Sequence, residues 1–257
     1  MKNAPLLLVT GGGRGIGAAT ARLAAAQGWD VAINYARDEA AAEAVADAVR
    51  ALGRRALTLC ADVADEGQVR AMFATLDRHA EEGVGPLSGL VNNAGIVDVA
   101  ARVDEMTGAR LQRMFAVNVL GTMWCAREAV QRMSTRQGGR GGQGGAIVNL
   151  SSAAARLGAP GQYVDYAAAK GAVDVFTLGL AKEVAAEGVR VNAVRPGVID
   201  TEIHASGGQP DRATQLAPLV PMQRAGSADE IAAAIVWLLS DGASYTTGAL
   251  LDVSGGR

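Results

Sequence analysis

The chain has 257 residues, of which 49% are hydrophobic and 19% charged, with a formal net charge of −2. That composition describes a folded globular protein and excludes a disordered one, and a near-neutral balance with no basic stripe gives no footing for nucleic-acid binding. The cysteines Cys60 and Cys125 and the histidines His79 and His204 are too scattered for a disulfide framework or a metal site, so no metal is expected and a reducing, cytoplasmic setting fits.

Leu6 to Val9 is short and wholly apolar, which suits a parallel strand buried on both faces. It is too short for a signal-peptide core, and no run reaches the length of a membrane span, so no membrane association is expected. Thr10-Gly-Gly-Gly-Arg-Gly-Ile-Gly17 follows as a tight turn, and Ala18 to Gln27 has helical spacing with Gly28 as its stop. Val31 to Tyr35 reads as strand two. Asp38 to Leu52 reads as a helix with Asp38 at its N-cap, and Arg55 to Ala61 as strand three. Asp65 to Glu82 is a helix leaving through Gly83-Val-Gly-Pro86, and Leu87 to Asn92 is strand four. Thr107 to Ser134 reads as one long helix. Gly138 to Gly145, with six glycines in eight positions, reads as a flexible surface loop. Ala146 to Leu150 is strand five, Asp165 to Ala186 a helix ended by Gly188, and Val189 to Val194 strand six. Residues 201–225 hold Gly207-Gly208, Pro210, Pro218 and Pro221, the composition of a loop with short helical pieces and a candidate substrate lid. Ala228 to Leu239 and Gly248 to Val253 are the last helix and strand.

Strands and helices alternate with no linker and no internal repeat. The expectation is therefore an α/β chain, one Rossmann-type domain over residues 1–257. Its core is a doubly wound parallel sheet of about seven strands with helices on both faces. Ligands in such sheets bind beyond the carboxyl ends of the strands, where the strand order switches.

Three groups of residues carry chemistry. Gly11, Gly15 and Gly17 open the first helix, where glycine admits a pyrophosphate to backbone N–H groups. At the end of strand two, where Asp or Glu would hold a free ribose hydroxyl, stands Arg37, twenty residues after Gly17. With Arg14 in the turn it would flank a 2′-phosphate, which favours NADP(H) over NAD(H). Third, Tyr166 and Lys170 lie four apart on one helical face, shortly after Ser152. A nearby ammonium should lower the phenol's pKa, and hydroxyl, phenol and cation together form an acid–base set.

These motifs, with Asp62-Val63, Asn92-Asn-Ala-Gly95, Asn118, Arg195-Pro-Gly197, Thr247-Gly248 and Gly255-Gly256, occur in the order seen in the short-chain dehydrogenase/reductase family. The chain resembles that family over essentially its whole length, and is similar to its 3-oxoacyl-carrier-protein reductase and glucose 1-dehydrogenase-like members. The resemblance implies that Gly11, Arg14, Gly15, Ile16, Gly17 and Arg37 hold the phosphates. It implies that Asp62 and Val63 contact the adenine, and that Asn92, Ala94 and Gly95 line the cofactor's middle. Pro196, Gly197, Ile199 and Thr201 would face the nicotinamide. Tyr166 would be the acid–base, Lys170 would bind the nicotinamide ribose and depress the tyrosine's pKa, Ser152 would hold the substrate oxygen, and Asn118 would anchor a proton-relay water. The spacing from Ser152 to Tyr166 is fourteen residues where thirteen is common in the family, and Ser151 is adjacent.

The implied activity is reduction of a carbonyl or oxidation of a secondary alcohol on a small molecule, in a homotetramer. A carrier-protein substrate would want basic residues at the site mouth, for which Arg102, Arg110 and Arg113 are candidates, diluted by Asp104 and Glu105. A non-catalytic redox sensor, or a same-fold epimerase or lyase, are the alternatives, against which the Ser, Tyr, Lys and Asn set argues.

Overall fold

A computed structural model describes residues 4–81, 84–137 and 142–257. The expected end of the third helix at Glu82, its exit at Gly83 and the first half of the glycine loop lie outside the described residues. Seven strands, β1 (Leu6–Val9), β2 (Asp30–Tyr35), β3 (Ala56–Cys60), β4 (Leu87–Asn92), β5 (Gly145–Leu150), β6 (Val189–Pro196) and β7 (Leu250–Val253), form one sheet in the order β3-β2-β1-β4-β5-β6-β7. Every neighbouring pair is parallel.

The long helices are α1 (Gly15–Ala26), α2 (Glu39–Ala51), α3 (Glu66–Glu81), α4 (Gly108–Phe115) and α5 (Gly121–Met133). They continue with α6 (Ala154–Leu157), α7 (Val164–Val184), α8 (Ile203–Ser206), α9 (Arg212–Leu216) and α10 (Ala228–Leu239), of which α6, α8 and α9 are short. Successive side chains of a strand point to opposite faces, and β1 shows why its run is apolar throughout. Leu7 and Val9 pack with α1, α2 and α10 on one face, whereas Leu6 and Leu8 pack with α3, α5 and α7 on the other.

Local signals in the sequence account for most boundaries. Asp38 caps α2 by accepting from the Ala41 N–H, and Thr107 caps α4 by accepting from the Arg110 N–H. At α10, Ser227 and Glu230 form a reciprocal capping box. One expectation fails. The segment from Thr107 to Ser134 is not a single α-helix, because a π-helical turn over Ala116–Leu120 separates α4 from α5. Asn118 sits inside that turn, and its side chain reaches out of the helix to bond the backbone of Ile96, which stabilises the departure from regular geometry.

The sheet's order reverses between β1 and β4, and the chain locks that point. Thr10 Oγ1 accepts from the N–H groups of Asn93 and Ala94, each at 3.0 Å. The Asn93 amide donates to the carbonyls of Thr10 and Gly11, each at 2.9 Å. From the other side, Asn34 Oδ1 accepts from the Gly11 N–H while its amide bonds the carbonyls of Leu59 and Ala61. A Cβ on Gly17 would lie 2.5 Å from Asn93 Nδ2 and 2.6 Å from the Gly11 carbonyl oxygen, so no larger residue fits there.

Candidate active site

The carboxyl ends of β4, β5 and β6 open into a cavity of about 220 Å³. Of the residues singled out in the sequence, Ile16, Gly95, Ser152, Tyr166, Lys170, Pro196, Gly197, Ile199 and Thr201 line it. Gly11, Gly15 and Gly17 form the adjoining turn, where Gly11 and Gly15 have φ of 60° and 52°, in the left-handed region. A Cβ on Gly15 would come 3.5 Å from Thr201 Cγ2, so the turn and the 201–225 segment meet beside the cavity.

The start of α1 differs from those of α2, α4 and α10. Its N-cap, Arg14, makes no side-chain cap hydrogen bond, and no acidic residue occupies its first turn. Its leading N–H groups and the positive end of its dipole thus remain available to an anion. Arg14 and Arg37 are both exposed and make no ion pair among the described residues. The turn therefore fits a dinucleotide: backbone without side chains, uncapped N–H groups and two uncommitted guanidinium groups.

Other members of the expected set are placed differently. The Asn92 side chain is buried and donates to Asn149 Oδ1 and the Thr122 carbonyl, tying β4 to β5 and α5 rather than facing the cavity. It is Asn93 that lines the cavity. The Val63 side chain is likewise core, against Gly121, where a Cβ would meet it at 2.8 Å. Asp62 is partly exposed and pairs with Arg113 at 3.0 Å. Ala94 gives its N–H to Thr10. Asn118 is fully buried, and both ends of its amide are engaged by Ile96.

The two adjacent serines both line the cavity but differ in their bonds: Ser151 is buried and donates to the Lys170 carbonyl, whereas Ser152 accepts from the Ala154 N–H at 3.1 Å and stands beside the Tyr166 phenol. Lys170 Nζ lies 5.6 Å from the centroid of the Tyr166 ring and donates to the Leu150 carbonyl at 2.6 Å. Burial pushes the phenol up to about 12, with the neighbouring Ser152 hydroxyl acting in the opposite direction. The expectation that Lys170 lowers this pKa is thus not met in this geometry. The same apolar wall pushes the lysine itself down to about 8, only partly offset by Asp174 one turn along. Tyr166 consequently keeps its proton at neutral pH.

Two buried ion pairs that sequence reading missed hold the helix carrying Tyr166. Arg110 grips Asp165 at 2.8 Å near the start of α7, and Arg195 grips Asp174 at 2.8 Å further along. The sole signal in the sequence was a carboxylate at each of two positions on a helix whose other buried residues, Lys170 and Thr177 apart, are Ala and Val. Arg110 is therefore not a mouth residue, and Arg102 and Arg113 are also paired, with Asp104 and Asp62. The basic patch expected for a carrier protein is neutralised from within. Among the described residues no group of His, Cys, Asp and Glu could hold a metal ion, and no helix is long and apolar enough to cross a membrane.

A family model described as enoyl-(acyl carrier protein) reductase matches residues 11–257. The chain is 54% identical over 252 residues to the Escherichia coli protein named uncharacterized oxidoreductase YgfF, covering 98% of this chain and 99% of that one. It is 42% identical to cis-4-hydroxycyclohexanecarboxylate dehydrogenase of Sinomonas cyclohexanicum, over 97% and 94% of the two chains. Among solved structures, a short chain dehydrogenase from Burkholderia cenocepacia J2315 in complex with NADP superposes with a TM-score of 0.86 at 33% identity, covering 99% of this chain and 98% of that one.

The depressed lysine has a consequence for stability. The unfolded chain titrates this group near 10.5 and the folded chain near 8. Between those values the unfolded state holds a proton that the folded state has lost, so stability rises with pH across the window. Below it both states are charged and the burial penalty stands in full. Relative to Lys170→Met, the wild-type protein should gain about 2 kcal/mol of unfolding free energy from about pH 7 to about pH 9.5. Denaturant unfolding of both proteins at the two pH values measures this; parallel slopes would show that Lys170 titrates as it does in water.

Proposed function

This chain belongs to the short-chain dehydrogenase/reductase family and is an NAD(P)-dependent oxidoreductase; from that premise we propose that it interconverts a carbonyl and a secondary alcohol on a small molecule, with NADP(H) preferred over NAD(H). The observation that carries the reading is that Ser152, Tyr166 and Lys170 meet on one largely apolar cavity wall at the carboxyl ends of the strands.

Gly11, Gly15, Ile16 and Gly17 would hold the pyrophosphate at the uncapped start of α1, and Arg14 and Arg37 the 2′-phosphate. Asp62 and the backbone at Val63 would border the adenine. Ala94 and Gly95 would line the middle of the dinucleotide, with Pro196, Gly197, Ile199 and Thr201 at the nicotinamide, which when bound supplies or accepts the hydride. Ser152 and Tyr166 donate hydrogen bonds to the carbonyl oxygen and stabilise negative charge as it grows there. Tyr166 then gives its proton to that oxygen; in the oxidative direction it takes one back. Lys170 holds the ribose side of the site. A Cβ on Gly95 would lie 2.8 Å from Asn118 Oδ1 and 3.6 Å from Lys170 Nζ. The bare glycine thus leaves a gap beside the lysine in which Asn118 can order a proton-carrying water. Residues 201–225 act as the substrate lid.

We also propose a homotetramer. Val175 and Leu178 on α7, with Phe115 and Leu120 beside the π-turn, leave large apolar side chains exposed on neighbouring elements, and Trp237 and Tyr245 do so near α10. Faces of this kind suit two separate self-associations. Sedimentation equilibrium should return four times the monomer mass, and a monomer at micromolar concentration would contradict it.

Tyr166→Phe should lower turnover by about 10²-fold or more while the affinity for NADPH, read by quenching of nicotinamide fluorescence, changes little. Activity close to wild type would show that the phenol is not the proton donor. Arg37→Asp should move the ratio of kcat/KM for NADPH over NADH towards NADH by about tenfold or more. An unchanged ratio would remove Arg37 from the 2′-phosphate site.

A further inference from the structure

Arg212, at the start of α9, lines the same cavity as Ser152 and Tyr166. Its guanidinium donates to Gln209 Oε1 at 2.7 Å and to Gln162 Oε1 at 2.8 Å, and stacks 5.1 Å above the centroid of the Tyr163 ring. All three partners are neutral. Among the described residues it makes no ion pair, although Asp211 is its neighbour in sequence.

Other arginines withdrawn from solvent are handled otherwise. Arg54, Arg110, Arg132 and Arg195 each bind a carboxylate, at 2.7 to 2.8 Å. Arg190 donates to the carbonyls of Leu238, Leu239 and Ser240, at the negative end of α10. Arg212 has neither kind of compensation. Its charge is carried by two neutral amides, a ring face and partial exposure, with no carboxylate to compete with an incoming anion. A guanidinium has five N–H donors, and the two amides use one each on Nη1 and Nη2. The amides and the ring fix its plane without consuming its charge.

The rest of the cavity points the same way. No Asp or Glu lines it, and Lys170 and Arg257 are its other cationic residues. Leu157, Val198, Ile203 and Leu216 supply apolar walls. The part of this cavity left beside the residues given to the cofactor suits a small molecule, apolar in its middle and anionic at the Arg212 end.

We propose that Arg212 is the residue that selects the substrate, by binding a carboxylate carried by a small oxo acid or hydroxy acid. The inference rests on the reading of the site as a carbonyl reductase, and it adds the class of carbonyl. The planar fork of the guanidinium matches the two oxygens of a carboxylate. Arg212 is a binding residue here and touches no reacting atom.

The test pairs 4-oxopentanoate, 5-oxohexanoate and 6-oxoheptanoate with their methyl esters, assayed with NADPH. The acids should be preferred over the esters by about tenfold or more in kcat/KM. In Arg212→Gln that acid-to-ester ratio should fall towards one, chiefly through KM for the acids, and Arg212→Lys should retain part of it. Equal use of acids and esters by the wild type would overturn the proposal. So would a variant that lowers both series in proportion, since Arg212 would then only pin the lid. Calorimetric titration of the same oxo acids into wild type and Arg212→Gln, with and without NADP⁺, needs no turnover. If nothing is reduced, the reductase reading fails. The carboxylate site then stands if the acids bind the wild type and not the variant, and falls if they bind both or neither.

Discussion

The contact on which the rest of the molecule depends is the crossing between the turn after β1 and the chain leaving β4. Parallel strands on either side of a switch in order diverge above the sheet, and the opening between them is where a ligand can enter. Such an opening has to be held at a fixed width. Here the Asn93 amide and the Thr10 hydroxyl hold it, with four hydrogen bonds between two short backbone segments. The absence of a side chain at Gly17 is the counterpart of those bonds, because a methyl there would occupy the place of the Asn93 amide. One geometric requirement thus explains a glycine, an asparagine and a threonine that are far apart in the chain.

A second constraint acts on α7. Its hydrophobic pattern is weakly one-sided, since small residues occupy most of its inward face, and packing alone would leave its azimuth loosely specified. Buried Arg110–Asp165 and Arg195–Asp174 pairs supply what packing does not. Directional ion pairs of this kind contribute less to net stability than to fixing one arrangement over its alternatives. The Ser151 hydroxyl on the Lys170 carbonyl adds a third tie. Tyr166 and Lys170 are therefore aimed largely by two ion pairs whose members lie outside the cavity lining.

This division explains what was legible in the sequence. The strand and helix order could be read directly, because apolar runs, caps at Asp38, Thr107 and Ser227, and glycine stops act locally. The cavity-facing set Ser152, Tyr166 and Lys170 was legible through motif spacing. The π-turn at Ala116–Leu120 was not, because the bonds that Asn118 exchanges there with Ile96 join residues 22 apart. Asn92 and Asn93 are chemically identical neighbours, and only the alternation of strand faces decides which one meets the cavity. The dilution of Arg102 by Asp104 was legible in the sequence, whereas the pairing of Arg110 and Arg113 was not, because their carboxylate partners Asp165 and Asp62 are distant in sequence. Lowering of the tyrosine's pKa by the lysine was expected from helical spacing and from the family resemblance. Spacing carries no information on burial, and burial dominates both groups.

That dominance shapes the chemistry available to the site. A wall that drives a phenol up to about 12 and an ammonium down to about 8 disfavours charge of either sign. It favours a neutral carbonyl beside a neutral phenol and strengthens the hydrogen bonds that stabilise charge only as it forms. The same wall gives no support to a charge that arrives with the substrate. Such a charge has to be met by a group fixed in advance, at a place where solvent and polar side chains can carry the cost of keeping it ionised. Arg212, held by two amides and an aromatic ring and partly exposed, meets those conditions. Reactivity and recognition are thereby kept apart in space: the apolar floor serves the carbonyl, and the rim serves whatever charge the rest of the molecule brings.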